Sequence, residues 1–153
     1  MGRTDRAALL LHLDPEQVFK ALTDPVALEK WLPPKGMHGR FERFDMREGG
    51  SYRLALTYDN PTGASGKTSQ DSDVSEVRII KIVPLSVLVQ EVNFESDDPA
   101  FQGTMTMEWR LKATDEGTTV EFEARNVPQG IRARDHAEGL TSSLANLAGY
   151  LEP

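Results

Sequence analysis

The chain contains no cysteine. Disulfides, thiolate metal sites and thiol nucleophiles are therefore excluded, and packing alone must hold the fold together. A chain of 153 residues fits one domain, read as residues 1–153, and can bury roughly 70% of the surface that its unfolded form exposes. Long apolar runs are also missing. The run near the amino terminus, Ala7 to Leu11, has five residues and is followed closely by His12 and Asp14. It is too short for the apolar part of a secretion signal, and no run approaches the roughly 20 residues of a membrane span. The expectation is a cytoplasmic protein that does not engage a membrane. Bases are outnumbered, 17 against 24 acids, giving a formal charge of −7. Such a surface repels phosphate backbones, so nucleic acid is not an expected partner. Arg132 and Arg134 come nearest to a basic cluster and read as a solvated face.

Catalytic signatures are equally sparse. GASGKT, residues 63–68, resembles part of a phosphate-binding loop, but the pattern needs a glycine at position 61, which is Pro61. Strand-like sequence follows it instead of a helix, so a surface loop, open to a lid role, is the better reading. His12, His38 and His136 share no ligand spacing, and Asp71, Asp73, Asp97 and Asp98 do not follow a calcium-loop pattern. Ser142 and Ser143 lie about two helical turns from His136 and have no nucleophile-elbow context. No metal or cofactor is expected.

What the chain does have is punctuation. Asp14-Pro15 and Asp24-Pro25 are two helix starts ten residues apart. Aspartate can accept from the free N–H groups of a first turn, and proline loses nothing at the first helical position. Gln17 completes a capping box with Asp14. The spacing predicts a helix from Pro15 to Leu22 with Val18, Phe19 and Leu22 on one face. A second runs from Pro25 to Trp31, with Leu28, Trp31 and Leu32 apolar, and Pro33-Pro34 ends it. Neither helix is long enough to stand alone, so both must lie on something larger.

After the prolines the period becomes two, the period of a half-buried strand. Strands are predicted at 37–45, 51–58, 74–83, 85–95, 104–114 and 118–125, with a further one at 7–13. Glu48-Gly49-Gly50, Pro84 and Glu116-Gly117 mark turns. The last segment carries Leu140, Leu144, Leu147 and Leu151 at steps of four, three and four, one stripe of a long helix whose start Asp135 or Asn126 would assist. Gly139 inside it suggests either close approach to another element or simple tolerance. The fold class is α+β: a strongly curved antiparallel sheet of six to seven strands, with two short helices and a long carboxy-terminal helix on its concave face.

The pieces VFKALTDPVALEKWLPP, DMREGGSYRL, EVRIIKIVPLSVLVQEV, GTMTMEWRL and NVPQG, in this order, resemble the START-like (SRPBCC, helix-grip) superfamily. Within it the chain is similar to homologues of the activator of the 90-kDa heat-shock protein ATPase. The resemblance spans nearly the whole chain, with one departure: such proteins often carry Gly-Trp in the last helix, where this chain has Gly139-Leu140. The resemblance implies a cavity between sheet and helix for a small hydrophobic or aromatic molecule, in a stress-related role. It also implies two alternatives, a module that interacts with a heat-shock chaperone and a cyclase or hydrolase acting on an aromatic substrate. The enzyme reading ranks last, because no catalytic constellation accompanies it.

Trp31, Phe41, Tyr52, Leu54, Met105, Met107, Trp109, Phe122, Leu140 and Leu144 are the candidate ligand-binding residues. Aromatic rings offer flat apolar walls and methionine adapts to irregular shapes. Alternation leaves Glu91 undecided: Val87 and Val89 share its face, and Leu88, Val92 and Phe94 share the other. Facing a cavity, its carboxyl would be raised and available for binding or catalysis; an edge or solvent carboxylate is the better reading. Glu108, Glu121 and Glu123 fall opposite the apolar stripe and should face water. Uncovered sheet edges allow a monomer or a weak homodimer.

Overall fold

The computed structural model describes residues 3–33, 36–59, 72–94 and 103–152. Strand β1 (Arg3–Leu11) is followed by helices α1 (Pro15–Thr23) and α2 (Pro25–Trp31). Six strands come next: β2 (Met37–Phe44), β3 (Ser51–Tyr58), β4 (Ser72–Val83), β5 (Val87–Phe94), β6 (Gly103–Thr114) and β7 (Gly117–Val127). Helix α3 (Ala133–Leu151) ends the described chain. The GASGKT segment lies outside the described residues.

All seven strands form one antiparallel sheet in the order β1-β7-β6-β5-β4-β3-β2. From β2 to β7 each strand pairs with the next, but β1 and β2 occupy opposite edges. The segment joining them must therefore cross the sheet. Six interstrand spacings of about 4.8 Å make a flat width of roughly 29 Å. Helices of nine and seven residues cover about 13 and 10 Å, so curvature of the sheet closes the remainder. This is why α1 and α2 lie on the concave face. They bury Val18, Ala21, Leu22, Ala27, Leu28 and Trp31 there.

The leucine row of α3 turns inward as expected. Leu140, Leu144 and Leu147 are buried with Leu11, Val120 and Phe122 in the main core. Gly139, by contrast, is exposed, and a Cβ on it would meet open space, so no close approach requires it. The first turn of α3 is tied to β1 through charge. His136 Nδ1 lies 2.7 Å from Asp5 Oδ2, Arg3 donates to both Asp5 oxygens, and Arg3 Nη2 reaches the Ile131 carbonyl at 2.6 Å. Burial alone would raise the Asp5 carboxyl, but the bonds from Arg3 and His136 outweigh it and hold it below its ordinary value.

Helix starts differ from expectation in detail. Asp24 accepts from the Val26 N–H at 3.2 Å, whereas Asp14 makes no side-chain cap and contributes only its carbonyl. Arg132 occupies the cap position of α3 without a side-chain bond; Asp135 lies in the first turn, where its carboxylate favours the helix dipole, and Asn126 takes no part. Asn126 instead adopts a left-handed backbone, φ 59°, where the β1–β7 register slips, and its side chain donates to the Thr104 carbonyl at 2.7 Å. Asparagine tolerates that conformation better than most residues.

Two glycine turns set strand register. In the EGG turn the Gly49 N–H donates to the Ile79 carbonyl and the Ile79 N–H to the Gly50 carbonyl, both at 2.9 Å. The β2–β3 hairpin is thereby fastened to β4 at the point where the β4–β5 register shifts. At the β6–β7 turn Gly117 has φ +145°, and a Cβ on it would lie 2.0 Å from the Leu11 carbonyl oxygen. Replacing Gly117 with alanine should therefore force β1 away from β7 and cost about 2 kcal/mol, the scale of one strained backbone site. Urea unfolding would show the loss; an unchanged midpoint would mean that the turn relaxes freely.

Candidate ligand-binding site

Proline chemistry explains how the site is built. A helical carbonyl at position 21 accepts from the N–H of position 25, and position 25 is proline, which has none. The Ala21 carbonyl would be orphaned in the core. Trp31 Nε1 donates to it at 2.9 Å, so the indole at the end of α2 completes the end of α1. The same ring then meets the sheet. Trp31 stands edge-on to Trp109, centroids 5.8 Å apart and planes at 87°, and Trp109 stacks on Phe122 at 3.7 Å. Below α2, Glu29 Oε2 accepts from the Phe41 N–H at 2.8 Å, next to the irregularity in the β2–β3 pairing.

Between these two helices and strands β3, β5 and β6 lies a small cavity. Leu22, Leu28, Trp31, Leu32, Tyr52, Leu88, Gln90, Met107 and Trp109 line it, and its volume is about 20 Å³. That is room for about one water molecule. The walls are apolar but for the side chains of Tyr52 and Gln90. Burial pushes the Tyr52 hydroxyl up to about 12, against the opposing bond from Gln90, so it is neutral at physiological pH. Its ring packs edge-on against Phe41 at 5.2 Å and stacks on Phe44 at 5.9 Å.

The structure thus brings together Trp31, Tyr52, Met107 and Trp109 of the ten candidate residues around one space. Phe41 and Phe122 stand behind its walls, supporting Tyr52 and Trp109. Leu54, Leu140 and Leu144 are buried in the same core but do not border the cavity, which sits under α1 and α2 and not under α3. Met105 belongs to a separate cluster with Ala124 and Val127, flanked by Ile131.

One open question about charge is resolved and one expectation is corrected. Glu91 points away from the cavity. It pairs with Arg78 directly across from it on β4, on the outer face. The inward residue of that step is Gln90, only 4% exposed, in a row with Leu88 and Val92. Glu123 does not face water freely. It is 8% exposed beneath Arg110, Arg125 and Arg6. Each histidine pairs with a carboxylate, His12 with Glu152, His38 with Asp59 and His136 with Asp5. Among the described residues no group of three or more His, Cys, Asp or Glu side chains is placed to hold a metal ion. No helix among them is long and apolar enough to cross a membrane.

Known structures share this architecture. The crystal structure of protein CV1439 from Chromobacterium violaceum is 28% identical, with a TM-score of 0.83 over 98% of this chain and 97% of that one. Protein MLL2253 from Mesorhizobium loti is 22% identical, with a TM-score of 0.76 over 98% and 97%. The AHSA1-like protein from Aeromonas hydrophila, solved by NMR, is 14% identical, with a TM-score of 0.78 over 98% and 92%. No curated protein matches the chain. The family model described as Activator of Hsp90 ATPase homolog 1-like protein matches residues 12–152, nearly the whole of the sheet and all three helices. The chain belongs to that family, within the START-like, helix-grip superfamily.

Proposed function

We propose that the protein binds a small, largely apolar molecule between the sheet and the α1–α2 pair, and releases it unchanged. The observation that carries this reading is the chemistry of the cavity walls. Two tryptophans, a methionine and four leucines surround the space, and the ionisable group among them, Tyr52, is held neutral by burial. Such walls favour apolar, flat molecules through burial of surface and offer little for proton transfer.

At about 20 Å³ the space admits nothing larger than water as it stands. Binding must displace α2 and the half-buried Leu32 outward. A seven-residue helix has little stability of its own, so it is the element whose movement costs least. That cost lowers the apparent affinity by the fraction of molecules in the open form.

The test is thermal unfolding with naphthalene-sized apolar probes. A probe at a hundredfold excess over its dissociation constant stabilises by about 2.7 kcal/mol, which in a chain of this size raises Tm by roughly 5–10 °C. The protein should meanwhile leave the ATPase rate of a 90-kDa heat-shock protein unchanged. Absence of any Tm shift, or clear ATPase stimulation, would turn the assignment toward the chaperone-interacting alternative.

A further inference from the structure

Gln90 is out of place. It sits on the central strand β5, opposite Ile79 on β4 and Met107 on β6, in an inward row whose other members are Leu88 and Val92. A leucine there would continue the core. A buried amide costs free energy unless each of its hydrogen-bonding groups is used. Tyr52 is likewise inward, 5% exposed, its ring fixed by Phe41 and Phe44, and it lines the same cavity as Gln90. No buried polar side-chain atom among the described residues is without a partner. Tyr52 and Gln90 both line the cavity, so theirs are the polar groups that meet whatever occupies it. Local rules broken without structural gain mark functional positions more often than errors.

We infer that Tyr52 and Gln90 select a neutral aromatic ligand bearing one hydroxyl group, held between the tyrosine hydroxyl and the glutamine amide. The inference rests on the binding role proposed above and names its ligand class. A hydroxyl can accept from Tyr52 Oη–H and donate to the Gln90 carbonyl, which matches both partners at once. An anionic ligand is disfavoured, because no cationic side chain lines the cavity and a buried carboxylate without a partner is costly. Trp31 and Trp109, edge to face, supply the flat apolar walls for the ring.

The experiment compares two probes of nearly equal shape, 2-naphthol and 2-methylnaphthalene, by fluorescence titration of the wild type, Tyr52→Phe and Gln90→Leu. The wild type should prefer 2-naphthol by about fivefold to tenfold, the range of a neutral hydrogen bond. Each substitution should bring the ratio near one while leaving 2-methylnaphthalene binding equal or tighter. Should Tyr52→Phe fail to fold, Gln90→Leu carries the same reading. Equal binding of the two probes by the wild type, or a preference that survives both substitutions, overturns the inference and leaves the binding role standing. Binding of neither probe overturns both.

Discussion

Replacing Trp31 by alanine should lower the unfolding free energy by about 4 kcal/mol, within the range for deleting a buried tryptophan. Three losses coincide. The indole is 2% exposed and packs edge-on against Trp109, so its removal opens a void beside a cavity that already exists. Its Nε1–H also serves the Ala21 carbonyl, which Pro25 cannot serve. And it is the last residue of α2, so the helix loses its main anchor. Trp31→Phe separates these contributions. It keeps an aromatic ring at the sheet, orphans the carbonyl and leaves a smaller void, and should cost about 2 kcal/mol. Urea midpoints of the two variants measure the split. If Trp31→Phe costs as much as Trp31→Ala, the hydrogen bond between the helices dominates; if it costs nothing, the Ala21 carbonyl finds water and the account of the α1–α2 junction is wrong.

The sequence announces this junction, because its ingredients are local. Asp-Pro twice, a tryptophan and a pair of prolines fall within 21 residues, and each has one favoured place at a helix start or end. The leucine steps of α3 and the alternation in β3, β6 and β7 are local as well, and the structure follows them. What the sequence does not decide is parity where both faces of a strand are apolar. In VLVQEVNF either row reads as core, and a shift of one residue exchanges Gln90 for Glu91. The pairing of Gln90 with Ile79 and Met107 resolves it, and that pairing depends on the register slip at Ile79, anchored by the EGG turn some thirty residues earlier. One signal was available: glutamine breaks an apolar row without adding a charge that Arg78 could match. The position of the cavity was not legible either. Leu140 and Leu144 fill the space under α3, and only the way two short helices cross the sheet leaves room under them.

The outer face holds the second large effect. Glu108 and Glu123 are direct cross-strand partners on β6 and β7, a pairing of like charges that on its own destabilises a sheet. Arg110 resolves the conflict. It donates to Glu108 at 2.7 Å, Glu123 at 2.8 Å and Glu121 at 3.1 Å, while Arg125 bridges Glu108 and Glu123 from the other side. The Arg110 bonds hold the Glu108 and Glu123 carboxyls below their ordinary range. Arg110→Met keeps an apolar stem across the strands and removes the guanidinium. It should cost about 2 kcal/mol at pH 7, more than a lone exposed pair because one guanidinium serves three carboxylates, and less than a buried pair because Arg110 itself is one-third exposed. The sign with pH follows from the lowered carboxyls. Their contribution is complete above the unfolded value near 4.3 and is lost as pH falls through the lower folded value. The variant has little of that contribution to lose, and protonation relieves its carboxylate repulsion. Wild type and variant should therefore converge on acidification, the difference in urea-derived stability shrinking as pH falls below about 4. A gap that stays constant from pH 7 to pH 3 would assign the loss to the packing of the arginine stem, and the charge lattice would then contribute nothing to holding β6 against β7.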